Sequence, residues 1–123
     1  MALGDRLFHD PRLSYENAHS CNSCHDTSTN GATAPGSIPS GGALNVPTVF
    51  NAALNFRLNW EGDVRTLEDQ TEQTLGKPQI MGSGSSVEEA LRRLRADPDV
   101  ARQFREAFGR EPDDAGLVDA IAA

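Results

Sequence analysis

At 123 residues the chain is the size of one domain, and 37% hydrophobic with 6% aromatic residues is thin material for a core that needs no help from a large apolar cofactor. A formal charge of −7, from 11 basic and 18 acidic residues, argues against nucleic acid, whose phosphates call for a basic surface. It suits a small basic redox protein or a small neutral molecule as partner. There is no run of about 18 apolar residues, so no helix spans a membrane, and no secretory leader is visible.

Leu3, Leu7 and Phe8 make a short apolar-periodic piece closed by Asp10-Pro11, one or two helical turns. Ser14 to His25 reads as a helix capped by Ser14. Residues 26–46, rich in Ser, Thr, Gly, Pro and Asn, read as a long loop of a kind that is usually functional or disordered. Pro47 to Leu54 reads as a short helix opening on proline. Trp60 to Asp63 is a turn, and Thr66 to Leu75 a helix bounded by Gly76 and Pro78. Gly82 to Ser85 is a flexible link. Ser86-Val87-Glu88-Glu89 is a capping box opening a helix to about Ala96, with Leu91 and Leu94 inward and Arg92, Arg93 and Arg95 mostly toward solvent. Asp97 caps the next helix, whose Val100, Phe104 and Phe108 lie on one stripe and which ends at Gly109. Asp113 starts a last helix, Leu117 to Ala123. With no strand alternation and no internal repeat, the fold class is all-α, a single domain over residues 1–123.

Cys21-Asn22-Ser23-Cys24-His25 is the strongest chemical signal. Cys-x-x-Cys-His is the pattern of covalent c-type haem attachment. Residues three and four apart share a helix face, so Cys21, Cys24 and His25 converge. Two thioethers then take the porphyrin's vinyl edges, and His25 meets the iron as its proximal ligand. A zinc site, a redox dithiol and a structural disulfide all use these residues less well. Tetrahedral zinc wants four ligands and finds only His9 and His19 to add. A thioredoxin-like Cys-x-x-Cys would sit near a βαβ unit, which is absent. A structural disulfide leaves His25 without a purpose. Covalent haem implies assembly outside the cytoplasm, in a bacterial periplasm or its equivalent.

The opposite haem face decides what such a haem does: a Met or His ligand makes an electron carrier, an open site permits peroxide or oxygen chemistry. His9 and His19 lie too close to the motif to reach that face easily, and read better as surface or hydrogen-bonded histidines. Met81, the only internal Met, is either a distal ligand or core packing beside Ile80. Gln70 either hydrogen-bonds an oxygen species at the iron or faces solvent. Trp60 either packs on a haem edge and relays electrons or belongs to the core.

Several motifs, in order, resemble bacterial di-haem cytochrome c peroxidases and their MauG-type relatives. They are Leu7-Phe8-His9-Asp10-Pro11-Arg12-Leu13-Ser14 and Ser20 to His25, then Asn45-Val46-Pro47-Thr48-Val49-Phe50-Asn51-Ala52-Ala53. Trp60-Glu61-Gly62, Leu67-Glu68-Asp69-Gln70, Met81-Gly82 and Ala120-Ile121-Ala122-Ala123 follow. The resemblance implies the amino-terminal, peroxidatic haem domain of a protein at least twice as long. That protein would reduce hydrogen peroxide with electrons from a second haem domain and a small donor, a cytochrome c or cupredoxin. By the same resemblance His25 is the proximal ligand, Gln70 the distal glutamine, and Trp60 the tryptophan between two haems. Asn45 falls on an asparagine that helps hold an inter-domain calcium.

Three positions depart from the pattern. Ile80 stands where the family has a distal glutamate as acid/base, and isoleucine cannot move a proton. Residues 26–46 hold no histidine to gate the iron in a resting state. Trp60-Glu61-Gly62-Asp63 replaces Trp-Asp-Gly-Arg, losing a positive charge near the haem. Losing the gate favours constant access for a small ligand; losing the glutamate slows peroxide cleavage. Three readings follow, in this order: an enzyme domain with weak or altered peroxidase activity, a carrier with His25 and Met81 on the iron, and a haem-based sensor of a small ligand.

Overall fold

A computed structural model describes residues 2–33, 44–81 and 86–123. Helices α1 (Ala2–Phe8), α2 (Leu67–Leu75), α3 (Pro78–Met81), α4 (Val87–Arg95), α5 (Pro98–Phe108) and α6 (Asp114–Ala122) are joined in the amino-terminal half by 3-10 turns and irregular chain. Among the described residues the only β pairing is two isolated bridges, Thr33 with Val46 and Leu58 with Val64, so the all-α reading holds. None of the described helices is long and apolar enough to cross a membrane. The expected link 82–85, and residues 34–43 of the expected loop, lie outside the described residues.

The carboxy-terminal helices begin where side chains can satisfy their first free amides. The hydroxyl of Thr66 accepts from Asp69 N, that of Ser86 from Glu89 N, and the carboxylates of Asp97 and Asp113 from Val100 N and Gly116 N. Gly109 closes α5 in the left-handed conformation, φ 70°, where glycine carries no Cβ penalty. Leu91, Leu94, Val100, Phe104 and Leu117 of these helices pack with Leu3 and Leu7 of α1 into one buried core, joined by Leu13, Leu75 and Met81. Helix α1 lies on α6 so closely that a Cβ on Gly4 would collide with the Ala120 carbonyl.

Two expected helices are not formed. Between Ser14 and His25 the chain makes two 3-10 turns, Tyr15–Asn17 and Cys21–Ser23, because Glu16 and Asn17 take left-handed φ of 55° and 56°. Ser14 does not cap a helix; its hydroxyl accepts from His19 N at 3.0 Å and closes a loop. Between Pro47 and Leu54 only Ala52–Leu54 turns. The Thr48 hydroxyl bonds to the Asn30 carbonyl and accepts from Phe50 N, tying this stretch to the Asn30 turn instead of to a helix of its own. Arg93 also departs from expectation. It turns inward and donates from Nη1 to the carbonyls of Arg12 and Ser14, at 3.2 and 3.0 Å.

A charged network clasps this half to the helices. Asp10, only 7% exposed, accepts from Arg12 N and Nε at 2.9 Å each. Arg12 also reaches Asp97 at 3.0 Å, which in turn holds Arg6 at 2.9 Å. Burial alone would raise the Asp10 pKa, but the bonds and charge of Arg12 outweigh it and hold the carboxyl below its ordinary range. A lowered folded-state pKa stabilises fully above the unfolded carboxylate value, about 3.9, and loses that contribution as pH falls through the folded value. Asp10→Asn is expected to cost roughly 2–3 kcal/mol near neutrality, because it strands the Arg12 guanidinium. Urea unfolding between pH 5 and 2 should show a flatter pH dependence in the variant; equal slopes would mean that Asp10 is not the group that titrates.

The candidate haem site

The motif cysteines and His25 sit on one wall of a cavity of about 450 Å³, within the roughly 300–1,000 Å³ usual for cofactor pockets. A single tight turn arranges them: Cys24 N and His25 N both donate to the Cys21 carbonyl, at 3.1 and 2.9 Å. The convergence expected of a helix is thus achieved by one turn. Asn22 braces the turn from outside, its side-chain oxygen accepting from Thr27 N and Oγ1 at 3.0 and 2.8 Å. The Thr33 hydroxyl donates to the Cys24 carbonyl.

His25 is held by backbone carbonyls. Its Nδ1 lies 3.0 Å from the Pro47 carbonyl and 3.4 Å from that of Gly31. A carbonyl only accepts, so Nδ1 carries the proton and the Nε2 lone pair is left free for a metal. Burial lowers the His25 pKa, only partly offset by those carbonyls, and keeps the ring neutral. Gly31 permits this arrangement because its φ is +68° and a Cβ there would press on Val49 and Thr48. The thiols of Cys21 and Cys24 are free. Burial pushes Cys21 up to about 11 and raises Cys24 as well, so both remain protonated thiols rather than thiolates.

Helices α2 and α3 supply further walls of the cavity through Gln70, Thr71, Thr74, Leu75, Ile80 and Met81. Gln70 therefore faces inward, not toward solvent. Its Nε2 donates to Thr74 Oγ1 at 3.1 Å, and its Oε1 is the one buried side-chain polar atom without a partner among the described residues. Buried acceptors rarely go unpaired, so an orphan here marks the place of a missing donor. Met81 is buried in the core and also reaches the cavity wall.

The histidines outside the motif are both hydrogen-bonded. Nδ1 of His9 lies 2.8 Å from the Asp5 carbonyl. His19 lines the cavity, which its position beside the motif did not suggest, and its Nε2 bonds to the Ile80 carbonyl. Trp60 is not a core residue. It is 63% exposed, its Nε1–H donating to the Asn45 carbonyl at 2.8 Å. Leu54 and Phe56, a few residues before it in the chain, are 84% and 88% exposed. No group of three His, Cys, Asp or Glu able to hold a bare ion occurs among the described residues. The donor set fits a haem: two neutral thiols, an imidazole with a free Nε2, apolar walls, and an unpaired acceptor.

Comparison with known proteins agrees. The match to the di-haem cytochrome c peroxidase family spans residues 1–123. Cytochrome c peroxidase Ccp of Escherichia coli (strain K12) is 38% identical over 126 residues, 99% of this chain and 27% of its own length. Cytochrome c551 peroxidase of Pseudomonas aeruginosa is 38% identical over 110 residues, 86% of this chain and 31% of its own. The methylamine utilization protein MauG of Methylorubrum extorquens is 36% identical over 117 residues, 90% of this chain and 32% of its own. The crystal structure of a MauG-like protein associated with microbial copper homeostasis superposes with a TM-score of 0.74 at 29% identity, over 98% of this chain and 38% of that one. The chain thus spans about a third or less of the curated relatives it matches. On sequence and on fold, it belongs to the di-haem cytochrome c peroxidase family.

Proposed function

We propose that this chain is the amino-terminal, peroxide-reacting haem c domain of a longer periplasmic di-haem oxidoreductase. The observation that carries the reading is the placement of Cys21, Cys24 and His25 on the same cavity as the unpaired Gln70 oxygen. Cys21 and Cys24 fix the haem as thioethers, and His25 Nε2 takes the iron. The haem supplies the redox chemistry. Gln70 Oε1 accepts from the O–H of a small ligand such as hydrogen peroxide, and a buried acceptor rejects ligands that bring no donor. Leu67, Leu75, Ile80 and Met81 keep bulk water from the ligand. Ile80 contributes no proton, so the acid/base step falls to another group on the cavity.

Electrons come from a second haem domain and a small donor protein, a cytochrome c or cupredoxin. A chain of net charge −7 attracts a basic donor. The exposed Trp60 relays electrons at the face toward the second haem. Asn45 contributes one ligand to a calcium there, the others coming from the second domain.

The full-length haem-loaded protein, given hydrogen peroxide and a reduced small cytochrome c, is expected to oxidise the cytochrome. A low-spin ferric spectrum with a Met–iron band and no peroxide consumption would instead make it an electron carrier ligated by His25 and Met81.

A further inference from the structure

A peroxide site needs a proton carrier, and position 80 does not provide one. Among the described residues on the cavity, four side chains can gain or lose a proton: His19, Cys21, Cys24 and His25. With haem in place, the two cysteines are spent as thioethers and His25 on the iron. His19 is left over. It is half-buried, two residues before the motif, and anchored twice. Its backbone N donates to Ser14 Oγ at 3.0 Å, and its Nε2–H bonds to the carbonyl of Ile80 itself. Because a carbonyl only accepts, the proton sits on Nε2 and the lone pair on Nδ1. Nδ1 has no hydrogen-bond partner among the described residues.

We propose that His19 is the proton-transfer residue of the peroxide site, set beside Ile80 in place of a carboxylate on α3. This rests on the peroxide-reducing function proposed for the domain. One oxygen of hydrogen peroxide gives its proton to Nδ1. The imidazolium returns that proton to the other oxygen as the O–O bond breaks, and water leaves. The haem, when bound, would supply the two electrons that break the O–O bond and would be re-reduced by the one-electron donor protein by way of the second haem, while two protons from solvent complete the second water. Overall, one peroxide, two electrons and two protons give two waters. An imidazole suits the task, since one nitrogen can take and return a proton while the other keeps its bond to the Ile80 carbonyl.

The test uses the full-length haem-loaded protein and its His19→Gln variant, which keeps an amide donor for the Ile80 carbonyl. Three reactions are followed by stopped flow: hydrogen peroxide with the ferric protein, hydrogen cyanide with the ferric protein, and carbon monoxide with the ferrous protein. Hydrogen cyanide must give up a proton to bind as cyanide; carbon monoxide has none to give. The expected result is a fall of about 10²-fold with peroxide, a clear fall with cyanide, and carbon monoxide association unchanged. Adding Ile80→Glu to His19→Gln should restore the peroxide rate, because a carboxylate then stands in the same place. His19→Leu serves as the second variant if His19→Gln loads haem poorly. Peroxide and cyanide rates within threefold of the parent overturn the proposal. So does an equal loss of carbon monoxide association, which marks a merely structural histidine. If the parent protein leaves peroxide untouched, the peroxidase reading fails by itself, and the cyanide and carbon monoxide rates still decide His19.

Discussion

Replacing Cys21 and Cys24 together with alanine is expected to leave a protein whose haem is removed completely by acid–acetone extraction, where the parent's haem stays on the polypeptide. The two thiols lie on the same cavity as His25, so with both gone only the iron–His25 bond and apolar contact remain. Stability should fall as well. Across residues 44–64 only Leu58 and Val64 are buried apolar side chains, whereas Leu44, Leu54, Phe56 and Trp60 are exposed. That half has little packing of its own to fall back on, and molecules that lose the non-covalently held haem carry an unfilled apolar cavity, which costs in proportion to its volume, about 24 cal/mol per Å³ for enclosed sites. For an open cavity of this size a loss of several kcal/mol is expected, against a typical total of about 5–15 kcal/mol. Thermal unfolding by circular dichroism, alongside the extraction, checks both parts. Haem that survives denaturation in the double variant would show that another group holds it.

Gly4→Ala is expected to have the next largest effect, although Gly4 is far from any chemistry in sequence. The added methyl would run into the Ala120 carbonyl and crowd its carbonyl carbon at 3.1 Å. Both obstacles are helix backbone, which cannot rotate away as a side-chain tip would. Helices α1 and α6 must separate, and with them Leu3, Leu7, Leu117 and Ala120 of the core. Overpacking usually costs about 1–3 kcal/mol, and with backbone on the receiving side the upper end is expected. For a chain of this length that is a drop of roughly 10 °C in Tm. Alanine is the better helix former by about 1 kcal/mol, so the variant would be stabilised if α1 and α6 did not touch. The sign of the change therefore tests the crossing.

The helices α2, α4, α5 and α6 are legible in the sequence because their signals are local. Thr66, Ser86, Asp97 and Asp113 each bond an amide two or three residues on, a rule that needs no knowledge of the rest of the chain. The segment from Ser14 to His25 defeats a local reading because what bends it comes from far away. Arg93, on a helix more than seventy residues later, grips the Ser14 carbonyl and the Asn17 side chain, at 3.0 and 3.3 Å, and Glu16 and Asn17 yield to left-handed φ. The motif itself is legible because chemistry, more than secondary structure, sets its spacing. The carbonyls that orient His25, from Gly31 and Pro47, leave no mark in a spacing pattern, since any residue can supply a carbonyl. Gln70 and Trp60 each have two readings that pattern alone does not separate. Folding resolves them in opposite senses, Gln70 turning to the cavity and Trp60 out to the surface.

The uneven placement of the core bears on the order in which the protein matures. Helices α1, α4, α5 and α6 hold most of the buried apolar side chains and all but the first are capped locally, so they can condense before any cofactor arrives. The haem-bearing segment and residues 44–64 depend mainly on hydrogen bonds between loops. In a chain built this way the attachment segment, with few buried apolar contacts, is expected to open locally before the helical scaffold does. Local opening of that segment is expected to bring the two thiols within reach of whatever joins them to haem while the helical scaffold stays folded. On the haem attachment proposed above, thioether formation becomes the last folding step, closing the half with the least packing of its own.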